Sequence, residues 1–181
     1  MTEYSDNELL EIFKNDNANY AFNLLVNKYQ KKLYWHIRKI VICHNDTDDV
    51  LQNTFIKTWQ NLGKFREEAN LYTWLYRIAT NEAITFLNKK RKQNHYSIDE
   101  EDSFLINTIE SDGLFDGNEI QKKLQKAILT LPQKQRIVFN MKYFDEIKYE
   151  DMSKILETSV GALKASYHHA VKKISIFFEN D

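Results

Sequence analysis

The chain has 181 residues, with 25 Lys and Arg against 26 Asp and Glu, one Pro, four Gly and one Cys. That length holds one ordinary domain or two small ones, and so little Gly and Pro leaves few turns of fixed or positive φ, against a hairpin-rich sheet. Cys43 alone cannot close an internal disulfide, no apolar run approaches the roughly 18 residues of a membrane span, and residues 1–19 lack the apolar core of a signal peptide, so the sequence reads as a soluble protein of a reducing cytoplasm.

The net charge of −1 hides a division along the chain: +3 over residues 1–95, −8 over 96–121 and +4 over 122–181. Two mildly basic lobes flanking an acidic tether are compatible with nucleic-acid binding.

Taken in order, Ser5 and Glu8 have capping-box spacing and open a short amphipathic helix through Leu9, Leu10 and Phe13. Over residues 18–43, Phe22, Leu25, Tyr29, Leu33, Ile37 and Ile40 recur at steps of three and four, which predicts a long helix with one buried face. Asp46 or Thr47 is placed to cap the next helix, over 48–62, with Asp48 and Asp49 in its first turn and Gly63 ending it in a left-handed position. A helix over 71–92 buries Leu75, Ile78, Ala79, Ile84 and Leu87 and ends in Lys89, Lys90, Arg91 and Lys92.

Residues 96–118, rich in acid and with little periodicity, mark a domain boundary. Beyond it Ile120, Leu124, Ile128 and Leu131 form one stripe, and Pro132 suits the first position of a helix running through Tyr143. Helices over 149–156 and 159–178 complete the chain. The expected architecture is all-α: two small helical domains, 1–95 and 119–181, joined by an acidic flexible linker over 96–118, the C-terminal domain a helix-turn-helix.

Two constellations carry the functional reading. In the last helix Val160, Leu163, Tyr167, Ala170 and Ile174 share one face, leaving Ala162, Lys164, Ala165, Ser166, His168, His169 and Lys172 largely outside, a small and cationic surface that fits a major groove; an ordinary helical hairpin would share these proportions. Earlier, Tyr72, Trp74, Tyr76 and Arg77 lead to Asn81 and the basic run Lys89, Lys90, Arg91, Lys92. Rings that stack on unpaired bases and cations that hold a backbone suit single-stranded DNA, although Trp74 and Tyr76 equally suit a core. The five histidines lie in no metal-ligand spacing and no glycine-rich phosphate loop or nucleophile motif is present, so the sequence points to no catalytic residue, metal or cofactor.

The run from Asp49 through Gln52, Asn53, Thr54, Phe55, Ile56 and Lys57 to Trp59, then Phe65, then Thr73-Trp74-Leu75-Tyr76-Arg77-Ile78-Ala79-Thr80-Asn81, resembles the core-binding and promoter-melting domain of the extracytoplasmic-function (ECF) group of sigma-70 factors. Leu131-Pro132 through Ile174 resembles the helix-turn-helix domain of that group. The resemblance implies an RNA polymerase sigma factor that directs core polymerase to promoters and assists melting, with core RNA polymerase and promoter DNA as partners and an anti-sigma factor as a frequent further one.

It implies polymerase docking by Asp49, Gln52, Asn53, Ile56 and Trp59, with Trp59 more a packing group than a contact. It implies capture of the melted minus-ten strand by Lys64, Arg66, Tyr72, Thr73, Arg77 and Asn81, joined by the basic run at 89–92. Reading of the minus-thirty-five element would fall to Tyr149, Ser159, Val160, Gly161, Ala162, Lys164, Ala165, Ser166, His168, His169 and Lys172. Departures from the group's pattern are Asn53 where Glu is usual, Thr85 and Asn88 where Asp and Arg are common, Glu157 at a turn position that is often Gly, and Ser166, His169 and Val171 in place of frequent arginines. The alternatives are a helical adaptor or sequestering protein and a duplex-binding helix-turn-helix regulator without polymerase contact. The acidic tether is either a stand-in for RNA in a basic polymerase channel or a solvated spacer.

Overall fold

The computed structural model describes residues 4–15, 17–65, 70–94 and 119–179. The predicted linker over 96–118 and the candidate contact Arg66 lie outside them. Among the described residues all regular structure is helical: α1 (Asp6–Asn15), α2 (Ala18–Val41), α3 (His44–Leu62), α4 (Leu71–Asn94), α5 (Glu119–Leu129), α6 (Gln133–Tyr143), α7 (Tyr149–Leu156) and α8 (Val160–Glu179). None of these helices is long and apolar enough to cross a membrane.

Helix α1 begins with the predicted reciprocal cap: the Ser5 amide donates to Glu8 at 2.7 Å and the Glu8 amide to the Ser5 hydroxyl at 3.3 Å. It is tied to α2 through Asp6, which accepts from Lys28 at 2.8 Å and from the Tyr29 hydroxyl at 2.7 Å. Burial, then the Asp6 carboxylate, push the Tyr29 phenol well above its ordinary range, so it stays a neutral donor.

Of the α2 stripe, Leu25, Tyr29, Leu33, Ile37 and Ile40 are buried as the periodicity requires, and Phe22 is half-buried. Helix α2 stops at a turn where Ile42 takes φ 72° and the Cys43 amide donates to the Val41 carbonyl at 3.0 Å. A β-branched residue at positive φ is strained, and the turn is tight enough to start α3 at His44.

Two expectations for α3 are corrected. It starts four residues before Asp48, with Cys43 at the cap and no side-chain cap bond. Thr47 lies inside the helix, fully buried, its hydroxyl donating to the Cys43 carbonyl at 2.7 Å, and Asp46 pairs with Lys90 of α4. Gly63 is right-handed, φ −65°, because Lys64 and Phe65 donate to the carbonyls of Asn61 and Leu62 and satisfy the helix end without a left-handed residue. The inner face of α3 carries Thr47, Val50, Thr54, Thr58 and Leu62; Thr54 and Thr58 donate to the carbonyls four residues back, so their hydroxyls are buried at little cost.

Helix α4 buries Leu71, Leu75, Ala79, Ala83 and Leu87 against α2 and α3. Pro132 caps α6 with ψ 140° rather than entering it as the first helical residue. The principal apolar cluster continues past this frame: Ile137, Val138 and Met141 of α6, Ile147, Met152 and Ile155 of α7 and Leu163 of α8 pack in the same cluster as the residues of α2 and α4. A second cluster, Ala127, Ile128, Leu131, Phe139, Ala170 and Ile174, joins α5, α6 and α8.

Leu75 is fully buried where α4 meets the rest of the first cluster. Leu75→Ala should destabilise the chain by about 2–5 kcal/mol in denaturant unfolding, from lost transfer energy plus the cavity. A loss well under about 1 kcal/mol would show that α4 is not the central packing element.

Candidate docking and nucleic-acid interfaces

The residues singled out for polymerase docking emerge together. Asp49, Gln52, Asn53, Ile56 and Trp59 are all exposed, on the side of α3 opposite its threonine face. Two are large and apolar, Ile56 at 48% and Trp59 at 41% exposure. Trp59 is half packing group, as expected: one side meets Phe22 at 5.0 Å and Phe13 at 5.9 Å between centroids, edge to face, which orients the indole while leaving its other side open.

The basic run at the end of α4 sits beside this surface. Lys89 and Lys90 line a groove with Asp49, Gln52, Asn53, Phe86 and Gln93. Lys90 pairs with Asp46, while Lys89 and Lys92 are exposed and Arg91 is half-buried.

The strand-capture candidates are divided. Lys64 and Asn81 are exposed, and Tyr72 is half-buried with its ring 4.3 Å from that of buried Tyr76. Burial raises the phenols of Tyr72 and Tyr76, so both rings are neutral. Tyr76 is therefore a core residue. Thr73 is buried and its hydroxyl meets Asp151 of α7 at a long 3.4 Å; Arg77 pairs with Glu157 in the turn after α7.

Helices α7 and α8 form the helix-turn-helix. Glu157 adopts a left-handed conformation, φ 50° and ψ 42°, and its amide donates to the Ser153 carbonyl. This is the geometry that normally selects glycine. Ser159 is committed to capping α8, its hydroxyl accepting from the Ala162 amide at 3.3 Å. Leu163, Ala170 and Ile174 face inward, while Gly161, Ala162, Lys164, Ala165, His168, His169 and Lys172 are exposed and Val160 and Ser166 half-buried. Tyr149 receives Lys142 at 5.0 Å and Lys164 at 5.7 Å over its ring, which gathers positive charge at the head of the recognition helix.

A polar seam that no local motif announces runs between α2 and α4 on one side and α6 and α7 on the other. Asp145, in the turn after α6, accepts from His36 Nδ1 at 2.8 Å and pairs with Lys39; the Asn140 amide donates to the Lys39 carbonyl at 3.1 Å. His36 Nε2 meets the Thr80 hydroxyl at 2.8 Å, and Thr80 spends its own hydrogen on the Tyr76 carbonyl. Both ring nitrogens thus face oxygen atoms of side chains from other elements.

The decisive comparison comes from whole-chain relatives. The chain is 31% identical over 182 residues to the RNA polymerase sigma-H factor of Pseudomonas aeruginosa, covering 96% of this chain and 94% of that one. It belongs to the ECF group of sigma-70 RNA polymerase sigma factors. The ECF sigma factor SigW of Bacillus subtilis is 30% identical over 82% of this chain and 83% of its own, and the ECF sigma-E factor of Escherichia coli 30% over 85% and 84%. The family model for Sigma-70 region 2 matches residues 25–93 and that for Sigma-70 region 4 matches 121–174. The fold is shared with CnrH, solved with the cytosolic domain of CnrY (TM-score 0.71, 22% identity, 97% of this chain and 98% of that one). It is also shared with the sigma factor RpoE of Bartonella quintana, solved with the anti-sigma factor NepR (TM-score 0.68, 20% identity, 88% and 98%). This sigma factor is a transcription initiation factor, so the sites that matter are surfaces for polymerase and promoter DNA.

Asp145 offers a titration handle on the seam. Burial alone would raise its carboxyl, but the hydrogen bond and charge of His36, with Lys39, outweigh that and hold it below its ordinary 3.8. A depressed carboxylate contributes stability that is present above its unfolded value and lost as pH falls through the folded one, here below about pH 4. Asp145→Asn should therefore flatten the acid limb of melting temperature against pH in that window. An unchanged limb would mean that the carboxylate is not held charged by the seam.

Proposed function

We propose that this sigma factor docks core RNA polymerase through the outer face of α3, captures the melted minus-ten strand along α4, and reads the minus-thirty-five duplex with α8. The division at residues 1–95, 96–118 and 119–181 assigns the first two tasks to one domain and the third to the other. The observation that carries the docking assignment is the exposure of Ile56 and Trp59 in a line with Asp49, Gln52 and Asn53. Two large apolar groups held out of the core on a polar stripe are the anatomy of an interface centre with a polar rim. Such work places the protein in the cytoplasm. The relatives' complexes, RpoE with an anti-sigma factor among them, support an anti-sigma partner for this chain as well.

Gln52→Ala with Ile56→Glu should weaken capture of core polymerase at least tenfold, about 1.4 kcal/mol, while far-ultraviolet circular dichroism stays helical. Undiminished pull-down by a folded double variant would remove α3 as the docking surface. Transcription with core polymerase on genomic DNA, with and without the protein, tests the whole assignment by the appearance of new start sites.

On the duplex side, Lys164→Ala should lower promoter affinity and make the salt dependence shallower by about one unit of slope if its ammonium meets a phosphate. On the strand side, Asn81→Ala or Tyr72→Ala should slow opening of a duplex promoter but spare polymerase binding, since one stacking group contributes about 1–3 kcal/mol. An unchanged slope would take Lys164 off the phosphate backbone, and unimpaired opening would take Asn81 and Tyr72 off the strand.

A further inference from the structure

Helix α8 contains no Arg, Asn or Gln between Val160 and Glu179. Those residues supply most of the forked hydrogen bonds by which a recognition helix grips guanine or adenine in a major groove. The polar groups at the head of α8 are engaged already. The Ser159 hydroxyl accepts from the Ala162 amide as a cap, the Lys164 ammonium lies over the Tyr149 ring with that of Lys142, and Ser166 is half-buried. His168 and His169 come a turn further along, away from the end that meets base edges. What stands exposed at the head is Gly161, Ala162 and Ala165. Gly161 lies four residues and Ala162 three residues before Ala165, so the three form one bare patch, and the first turn holds no acid to repel a duplex. A Cβ added to Gly161 would meet nothing within 4 Å. Glycine weakens a helix relative to alanine, and no contact inside the protein requires it at this position, so its use lies with something outside that approaches the backbone closely.

We propose that this sigma factor reads thymine in the minus-thirty-five element by its C5 methyl group: Ala162 and Ala165 meet the methyls of nearby thymines, and the bare backbone at Gly161 lets α8 come close enough to make those contacts. The proposal rests on the assignment of α8 to the minus-thirty-five duplex. Thymine is the base that carries an apolar group into the major groove, and an alanine methyl is matched to it in size and polarity. Residues three apart on a helix have Cβ atoms about 5–6 Å apart, against about 3.4 Å per base step, so the two alanines span one to two steps. The work is divided by chemistry. Lys164 and Lys142, gathered over Tyr149, supply an attraction to phosphate that carries no sequence information, and the alanines supply the information.

Deoxyuridine in place of thymidine keeps every hydrogen-bonding group of the base pair and removes only the methyl, so it isolates the contact. The probes are duplexes of the strongest promoter that holoenzyme uses on genomic DNA, with the thymidines of its minus-thirty-five element replaced singly by deoxyuridine. Holoenzyme affinity is read by competition binding. With the wild type, two of the replacements should each weaken binding about fourfold, which corresponds to about 0.8 kcal/mol for one buried methyl-sized group. Ala162→Gly and Ala165→Gly should each erase the uracil penalty at one position and keep it at the other. The thymine-to-uracil ratio is taken within each variant, so the loss of helix stability that glycine brings does not move it. Gly161→Ala should keep or raise the melting temperature while weakening binding to every duplex. Equal wild-type affinity for thymine and uracil duplexes would overturn the proposal, as would an element without thymine on either strand, a uracil penalty that persists in both alanine variants, or undiminished binding by Gly161→Ala. The assignment of α8 is judged apart, with an unrelated sequence in place of the whole element. If that costs the wild type nothing, α8 does not read the promoter; a large cost there without a uracil penalty leaves α8 in the groove and overturns the thymine contact alone.

Discussion

A carboxylate taken out of water is costly unless cations and donors replace the water it loses, and Asp145 meets that condition only when α6, α2 and α4 are together. His36 and Lys39 reach it from α2, and Thr80 of α4 holds the far side of the imidazole. Removing any member leaves another buried and unmatched. The position of α7 follows from this arrangement, because α7 begins four residues after Asp145, and Arg77 and Thr73 meet whatever α7 presents.

The seam differs in kind from the frame beneath it. The interior of α2, α3 and α4 is apolar, with Ala79 and Ala83 allowing close approach and the α3 threonines bonded to their own helix. Such close packing has low compressibility and transmits strain. Across the seam, ion pairs and hydrogen bonds surround a smaller apolar patch, the composition of contacts that form and separate.

The placement of charge agrees with this division. The α3 face is exposed, and Trp59 on it is oriented by the rings of Phe13 and Phe22 packed behind it. The exposed face of α8 is likewise open, with Lys164 and Lys142 gathered over Tyr149. Thr73 and Arg77 of α4 are engaged by the chain itself, through Asp151 and Glu157.

Most helix positions, the Ser5 and Glu8 cap, the outward face of α3 and the inward face of α8 were legible in the sequence, because a cap and a 3.6-residue period are properties of neighbours along the chain. The start of α3 and the conformation of Gly63 were not: a tight turn at Ile42 and carbonyl bonds at the far end replaced the expected cap and the expected left-handed residue. Glu157 was visible as a departure where glycine is frequent, but its meaning was not, since nothing local says that its carboxylate meets Arg77. His36 and Asp145 are 109 residues apart. Which acid faces which base at that separation depends on how two groups of helices come to rest on one another, a rigid-body choice that periodicity and propensity do not encode and that tertiary packing alone decides.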